Sequence, residues 1–507
     1  MRLQQLLESI QPLQVAGDRG IDIQALTCDS RQVRPGTLFF ALPGASVDGH
    51  NYIGPAVQAG ASAVVLENPV FAPAGLPWVQ VSDGRLAMAR MAARFHDDPT
   101  ARRPLIGITG TNGKTTTTYL IEGVLAAAGV PAAVLGTISY RFGATAISAS
   151  HTTPESTELQ AAFRQLADAG AQAFIMEVSS HALEQKRVDG CHFDVGIFTN
   201  LTRDHLDYHQ TMQAYQAAKQ RLFTELLQPD TTKSRRRAVI NLDDPTGKDF
   251  AATAVCPVIS YAIEQLSADV SVRDLISSVD GLSGILVTPA GEIAFHSALV
   301  GRYNLSNILA AVATGIALEL PLEAIARGIA QQATVPGRLE RVPNQRGVTC
   351  LVDYAHTGDA LENVLTTLKQ LATGRIITVF GCGGDRDPGK RPVMGAIAAR
   401  LSDFSVVTSD NPRTEDPVKI LAQIREGILP LGLRQYEPTE LGQGASGKGF
   451  TVLENRHQAI RLAAGLARAG DILLLAGKGH EDYQIIGHTK HHFDDREEAA
   501  AALGGAD

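Results

Sequence analysis

The sequence predicts an α/β protein in three domains. These are a small N-terminal α/β domain over residues 1–100, a central P-loop domain on a parallel sheet over 101–335, and a C-terminal Rossmann-like domain over 336–507. Three observations carry this. A chain of 507 residues exceeds what one core supports, so two to four domains are expected. Apolar runs of strand length are repeatedly followed by a polar loop and then a helical pattern, the rhythm of parallel βα units. At Leu105 one such run leads into Gly110-Thr111-Asn112-Gly113-Lys114-Thr115-Thr116.

Composition narrows the class. Hydrophobic residues make up 44% and charged residues 19%, ordinary for a globular protein. A net charge of −8 argues against general nucleic-acid binding. The five cysteines (Cys28, Cys191, Cys256, Cys350, Cys382) are scattered and odd in number, which argues against a disulfide scaffold and fits a reducing cytosol. Residues 1–7 lack the apolar core of a signal peptide, and no run approaches membrane-spanning length. The expectation is a cytoplasmic protein without membrane insertion.

In the first segment, Leu38–Leu42 and Ala63–Leu66 read as strands. Two polar clusters accompany them, Thr27–Arg31 and Gly44–His50, which suit either ligand contact or plain surface turns. Asp97-Asp98-Pro99 and Arg102-Arg103-Pro104 suggest a linker.

The central segment opens on the glycine loop. Glycines let backbone N–H groups approach phosphate oxygens, and a helix N-terminus adds positive potential. Leu120, Ile121, Val124 and Leu125 mark that helix. Lys114 would reach the outer phosphates and the Thr115 hydroxyl would ligate Mg²⁺. The usual first glycine of the pattern is replaced by Ile108, so the loop is a tighter variant starting at Gly110. Val134-Leu135, Ala173–Met176, Val195–Phe198 and Ala238–Ile240 are the next strands. Glu177 ends one of them, where an acid commonly serves Mg²⁺, and Val178–His181 continue as a polar patch. Thr199–His209 follows another strand, and His205 there could ligate a metal through neutral imidazole. Thr211–Leu227 reads as one helix with Lys219 on its apolar face, four residues after Tyr215 and four before Phe223. A buried lysine loses its proton readily and a neutral amine can add CO₂; alternatively its stem packs while its head reaches solvent. Residues 232–237 read as a solvated basic turn. Asn304 and Asn307 share a face at a helix start, to hold adenine or to cap the helix.

The last segment opens with Pro336-Gly337-Arg338, a plausible hinge. Cys350–Asp353, Ile376–Phe380, Phe404–Val407 and Ile472–Leu475 are its strands. Their polar loops, around Asp353–His356, Gly381–Asp387, Ser409–Arg413 and Gly477–Glu481, should meet on one rim. Arg386 and Arg413 can each grip a carboxylate bidentately, and Glu481 or Asp410 could take an ammonium, which suits a zwitterionic amino acid. The glycine-rich stretch 442–449 shows no clear chemistry.

Together the glycine loop, Glu177–His181, Asn200–His209, Tyr215–Phe223, Asn304–Asn307 and Asp353–His356 resemble, in order and spacing, the Mur ligases of bacterial cell-wall synthesis. Within that family the phrase Asp410-Asn411-Pro412-Arg413 is similar to enzymes that add meso-diaminopimelate as the third residue of the peptide stem. The resemblance implies an ATP- and Mg²⁺-dependent ligase whose substrates are UDP-N-acetylmuramoyl-L-alanyl-D-glutamate, meso-diaminopimelate and ATP, acting as a monomer. It implies UDP-substrate contacts at Cys28, Ser30, Ala45, Ser46 and Val47. It implies muramoyl-dipeptide contacts at His151, Thr152, Thr153, Ser179, Gln185 and Arg187, with His151 standing where asparagine is often found. Nucleotide contacts follow at Gly110, Thr111, Asn112, Gly113, Lys114, Thr115, Thr116, Asn304, Arg338 and Asp353. Lys219 matches a carbamylated lysine that would join Thr115, Glu177 and His205 around metal, and Lys114, Lys219, His205 and Glu177 are the implied catalytic set. Arg386, Asp410, Asn411, Pro412, Arg413, Gly477 and Glu481 match the diaminopimelate site. The implied reaction passes through an acyl phosphate, with His356 a candidate for taking the amine proton. Rival readings are a lysine-adding relative, a folylpolyglutamate synthetase and a nucleotide-regulated binding protein without turnover.

Overall fold

The structure is a computed structural model of the chain, described for residues 1–507 except 45–46, 148–150, 266, 444–446 and 505–507. Ala45 and Ser46, expected at the UDP end, lie outside the described residues. The chain forms two compact units, one dominated by residues 1–271 and one by 329–507, with the stretch between shared by the two.

The first unit holds two sheets. Strands β1 (Gln14–Ala16), β2 (Ala25–Thr27), β3 (Thr37–Ala41), β4 (Ala61–Leu66) and β5 (Trp78–Gln80) lie in the order β1-β5-β4-β3-β2. A larger sheet takes β6 (Leu105–Thr109), β7 (Ala132–Leu135), β8 (Tyr140–Phe142), β9 (Thr145–Ile147), β10 (Ala173–Glu177), β11 (Val195–Phe198), β12 (Arg237–Asn241) and β13 (Val258–Tyr261). Their order is β13-β12-β11-β6-β10-β7-β8-β9. From β6 the chain crosses first to one side, to β7 and β10, and later to the other, to β11. The carboxyl end of β6 is therefore a switch point, where such sheets bind ligands. Register aligns three strand ends there, with Glu177 opposite Ile108 and Phe198 opposite Thr109.

β14 (Ser271–Ser278), β15 (Gly281–Thr288) and β16 (Gly291–Ser297) form a small three-stranded sheet that the βα rhythm of the sequence did not suggest. In the second unit, β17 (Glu340–Val342), β18 (Thr349–Asp353), β19 (Ile376–Phe380), β20 (Phe404–Val407), β21 (Arg434–Gln435), β22 (Gly449–Val452) and β23 (Ile472–Ala476) are ordered β17-β18-β23-β19-β20-β22-β21. β24 (Tyr483–Ile486) and β25 (Thr489–His492) form a hairpin. The central strands are parallel and covered on both faces. Ile376 and Phe380 join one core and Ile377 and Val379 the other, which is why the sequence shows a continuous apolar run instead of an alternating one.

Two local expectations change. The single helix over 211–227 is an α-helix, Met212–Arg221, that passes into a π-helical turn, Leu222–Leu226, with the Thr211 side chain accepting from the Ala214 N–H as its cap. The basic turn at 232–237 is not solvated throughout. Arg236 is buried, donating to the Leu226 carbonyl and to Asp230, and Lys233 donates to Asp194 at 2.8 Å. These cations satisfy Asp194, just ahead of β11, Asp230 in the same loop, and the carbonyls of Arg103 and Leu226. Among the described residues no helix is long and apolar enough to cross a membrane.

Candidate active site

The loop after β6 is shaped by close approach. Gly110 has φ +146°, and a Cβ at that position would stand 1.9 Å from Thr199 Oγ1, so only glycine fits. The Thr111 N–H donates to the Asn200 carbonyl and the Asn112 N–H to Asn200 Oδ1, both at 2.9 Å. Thr199 Oγ1 donates to the Asn112 carbonyl at 2.7 Å. The polar phrase after β11 therefore frames the glycine loop, as strand register requires.

At the helix start that follows Gly113, Lys114 Nζ donates to the carbonyls of Gly110 and Thr111, each at 2.9 Å. Thr116 is buried in the first turn. Thr115 Oγ1 donates to Glu177 Oε1 at 2.9 Å, bringing together the hydroxyl and the carboxylate expected to serve a metal. Glu177 is buried and also accepts from the Thr137 N–H and hydroxyl, both at 3.1 Å. Gly136 makes room for it, since a Cβ there would meet Glu177 Oε1 at 2.5 Å. Thr137 and Gly136 were missed in the sequence because Val134-Leu135 is followed by no charged or titratable residue.

Lys219 settles inward. It is 1% exposed, donates to the same Gly110 carbonyl at 2.9 Å, and sits 4.5 Å from the centre of the Tyr215 ring. Burial first, and then the nearby Lys114 cation, push its ammonium well below the ordinary lysine range. Tyr215, on the same face, shares a hydrogen bond with Thr111 Oγ1 at 3.1 Å, tying the helix to the loop. His205 has a left-handed backbone (φ +53°) and a half-exposed side chain. Its ring stands 5.1 Å from His181 and 6.0 Å from Tyr215, so it reaches the loop through Tyr215. His209, buried beside them, contacts Ser180 Oγ at 2.8 Å and Glu184 at 3.0 Å. Among the described residues no group of three or more His, Cys, Asp or Glu side chains is set to hold a metal ion. The Thr115–Glu177 pair offers only oxygen donors, the chemistry Mg²⁺ prefers when substrate oxygens and water complete its shell.

The residues matched to the muramoyl-dipeptide portion gather on the far side of Glu177. Thr153 Oγ1 donates to the Glu177 carbonyl at 2.8 Å and accepts from the Ser179 N–H at 3.1 Å. The Thr152 and Thr137 hydroxyls are 3.1 Å apart. Arg187 donates to the Thr153 carbonyl at 2.8 Å and to Gln185 Oε1, and pairs with Glu155 at 3.0 Å, while Gln185 Nε2 donates to Tyr208. His151 contributes its carbonyl, which accepts from Tyr140 at 2.6 Å; its side chain is exposed. Burial first, and then the Glu155 carboxylate, raise the Cys28 thiol to about 11. Ser30 opens a short 3₁₀ turn and Val47 is exposed; among the described residues no side-chain hydrogen bond joins either to this cluster.

In the second unit, Asn304 is buried, donates to the Val300 carbonyl at 2.8 Å and accepts from Asn307. Asp353 accepts from the N–H groups of Leu339 and Ala355 at 2.7 and 2.9 Å. Burial raises its carboxyl, and Arg338, stacked 5.0 Å over the Tyr354 ring, partly offsets this.

The four loops of the C-terminal sheet do share a rim, since Asp353 pairs with Ala476 and Phe380 with Val407. Asn411 Nδ2 donates to Glu481 Oε2 at 2.9 Å. Arg413 has φ +52°, and its guanidinium donates to the Gly384 carbonyl at 3.0 Å. The Pro412 carbonyl lies where a Cβ on Gly384 would stand, which locks the two loops together. Gly477 has φ +114°, a backbone conformation that favours glycine, at the point where the loop passes Asp410. Arg386 is exposed and donates to its neighbour's carbonyl; among the described residues no side-chain hydrogen bond joins it to this cluster. Lys478, quoted in the motif but given no role from sequence, is fully buried among Asp410, Asn411 and Glu481.

Family profiles account for most of the chain. The Mur ligase catalytic domain profile matches residues 22–96, the Mur ligase middle domain 108–315, and the glutamate ligase domain 337–479. A curated relative from Geobacter sulfurreducens, a UDP-N-acetylmuramoyl-L-alanyl-D-glutamate–2,6-diaminopimelate ligase, is 62% identical over 509 residues, covering 100% of this chain and 99% of its own. The chain belongs to the Mur ligase family. A Geobacillus kaustophilus protein of the same name is 44% identical over 99% of both chains. Among solved Mur ligases, a UDP-N-acetylmuramoyl-L-alanyl-D-glutamate–2,6-diaminopimelate ligase aligns over 99% of each chain at 34% identity and TM-score 0.71. A Mycobacterium tuberculosis folylpolyglutamate synthase shares the fold at 18% identity and TM-score 0.61, covering 83% of this chain and 96% of its own.

Proposed function

We propose that this Mur ligase joins meso-2,6-diaminopimelate to the D-glutamyl γ-carboxylate of UDP-N-acetylmuramoyl-L-alanyl-D-glutamate, using ATP, in the synthesis of peptidoglycan precursors. It does so as a cytoplasmic monomer divided near residues 100 and 335. The observation that carries the reading is the buried Lys219 sharing the Gly110 carbonyl with Lys114, in a chain whose full-length relatives bear that activity in their names.

Two groups that do not condense in water are joined in two steps. A carboxylate oxygen of the D-glutamyl side chain attacks the ATP γ-phosphorus, the bond to the β-phosphate oxygen breaks, and ADP leaves. The amine of diaminopimelate then attacks the acyl carbon, loses a proton, and orthophosphate departs. Backbone N–H groups of residues 110–116 bind the phosphates, and the Lys114 ammonium neutralises charge on the transferred group. Thr115 and Glu177 would hold Mg²⁺, which supplies charge neutralisation on the phosphate oxygens. Lys219, low in proton affinity, would add CO₂ to give a carbamate and a proton, and the carbamate oxygens with His205 would then serve as further donors for that metal. Asn304, Arg338 and Asp353 form the nucleotide-side cluster of the second unit, and Thr152, Thr153, Ser179, Gln185 and Arg187 form the dipeptide-side cluster of the first.

Arg413 and Arg386 provide guanidinium for substrate carboxylate, and Asp410 and Glu481 carboxylate for its ammonium. That acid-and-base rim favours diaminopimelate over lysine, which lacks the second carboxylate, and over glutamate as the incoming amino acid, which lacks the second ammonium. His356 is exposed, with Nδ1 2.8 Å from the Tyr354 carbonyl, in reach of solvent for proton transfer. The deciding experiment puts oxygen-18 in the acceptor γ-carboxylate and offers a panel of amino acids. One label atom should appear in orthophosphate, with tripeptide formed from diaminopimelate. Unlabelled phosphate would overturn the acyl phosphate, and preferred use of lysine would overturn the substrate.

A further inference from the structure

Lys478 has no solvent exposure. Its ammonium stands 3.4 Å from Asp410 Oδ1, 3.4 Å from Asn411 Oδ1 and 3.6 Å from Glu481 Oε2. A buried cation persists only where it is paired, and two carboxylates so close repel unless a cation divides them. The rest of the shell is fixed. Asn411 bridges from Lys478 to Glu481 while its Oδ1 accepts from the Ile485 N–H at 2.9 Å, and Gln484 holds the Asp410 carbonyl at 2.6 Å. The Tyr483 ring centre lies 5.6 Å from the ammonium. The other charged groups that act on the pair are Arg456 on the helix beneath, itself paired with Asp495, and Arg413 and His356 on neighbouring loops.

Resting on the diaminopimelate reading, we propose that Lys478 is a positioning and specificity residue. It neutralises one of the two carboxylates, so that Asp410 and Glu481 together present one uncompensated negative charge to one substrate ammonium. With both acids ionised, the three side chains sum to a single negative charge. The directions of ionisation agree. Burial raises the Asp410 carboxyl, but Lys478 and then Arg456 outweigh it and hold the group below its usual range. Glu481, raised by burial and by Asp410, is the acid that would take a proton first if the lysine were lost. Diaminopimelate is net neutral and lysine net positive near neutrality, so the charge on this rim also discriminates between them.

The test is Lys478→Met in the full-length enzyme, with wild type assayed alongside. The KM for diaminopimelate should rise about tenfold or more, with kcat and the ATP dissociation constant changing far less. The variant's kcat/KM for diaminopimelate should gain an ionisation that wild type lacks, because the two acids now share a proton. Its preference for diaminopimelate over lysine should narrow at the alkaline end. The double variant Asp410→Asn with Lys478→Met, again singly negative, should lose the added ionisation. A pH-independent rise in KM, or unchanged discrimination, would reduce Lys478 to a packing residue and overturn the proposal. Should Lys478→Met fail to fold, the double variant still decides: with the single negative charge restored it should discriminate between diaminopimelate and lysine as wild type does, and lost discrimination overturns the proposal. If wild type makes no diaminopimelate product, the underlying substrate reading has failed instead.

Discussion

Lys219 shows how one side chain can be informative. Its helical register placed it on the apolar face with Tyr215 and Phe223, and it is buried there against a backbone carbonyl. Lys219→Ala should lower kcat by about a thousandfold or more if its carbamate supports phosphoryl transfer. Adding formate or acetate to that variant should restore part of the phosphate release, which a purely structural lysine would not allow. Arg413→Ala tests the other end of the chemistry. Loss of a charge-assisted pair costs about 2–3 kcal/mol, so the KM for diaminopimelate should rise roughly 30- to 160-fold. ATP binding, followed by fluorescence titration, should stay as in wild type.

At the scale of elements, helices and strands are fastened by buried polar pairs that the sequence did not advertise. Arg456 and Asp495 are both fully buried, with guanidinium–carboxylate contacts of 2.8 and 2.5 Å, and they join the Arg456–Leu466 and Asp495–Leu503 helices. Asp495→Ala strands a buried guanidinium and should cost about 3–5 kcal/mol, readable in urea unfolding. Asp471, just ahead of β23, is pushed up by burial but held lower overall by Arg375 and by the N–H groups of Arg468 and Arg375. Its folded value therefore lies below the unfolded one of about 3.9. The stability it adds is complete above that unfolded value and disappears as pH falls through the lower folded one. Asp471→Asn should flatten the acid limb of the stability curve.

For the whole molecule, nucleotide binding should be visible as stabilisation. At a hundred times its dissociation constant ATP adds about 2.7 kcal/mol, and Lys114→Met should abolish most of that thermal shift at equal concentration. Much of the architecture was legible beforehand, because strands buried on both faces must be written as unbroken apolar runs, such as Ile376–Phe380. The glycine loop was legible because only glycine fits beside Thr199. The β14–β16 sheet was not, since Ser271–Ser278 is largely exposed and carries no apolar period. Lys478 escaped assignment for a related reason: a lysine in a glycine-flanked motif looks the same in sequence whether its head meets water or two carboxylates.

The amino-acid order alone determined most of the doubly buried strands, the glycine loop and the chemical classes gathered after those strands, because local sterics and hydrophobic period act over a few residues. Only the folded chain decided that Thr115 meets Glu177, that Lys219 shares a carbonyl with Lys114, and that Asp410, Lys478 and Glu481 form one charge set. Those partners are far apart along the chain, and it is sheet register that sets their distance and burial their ionisation.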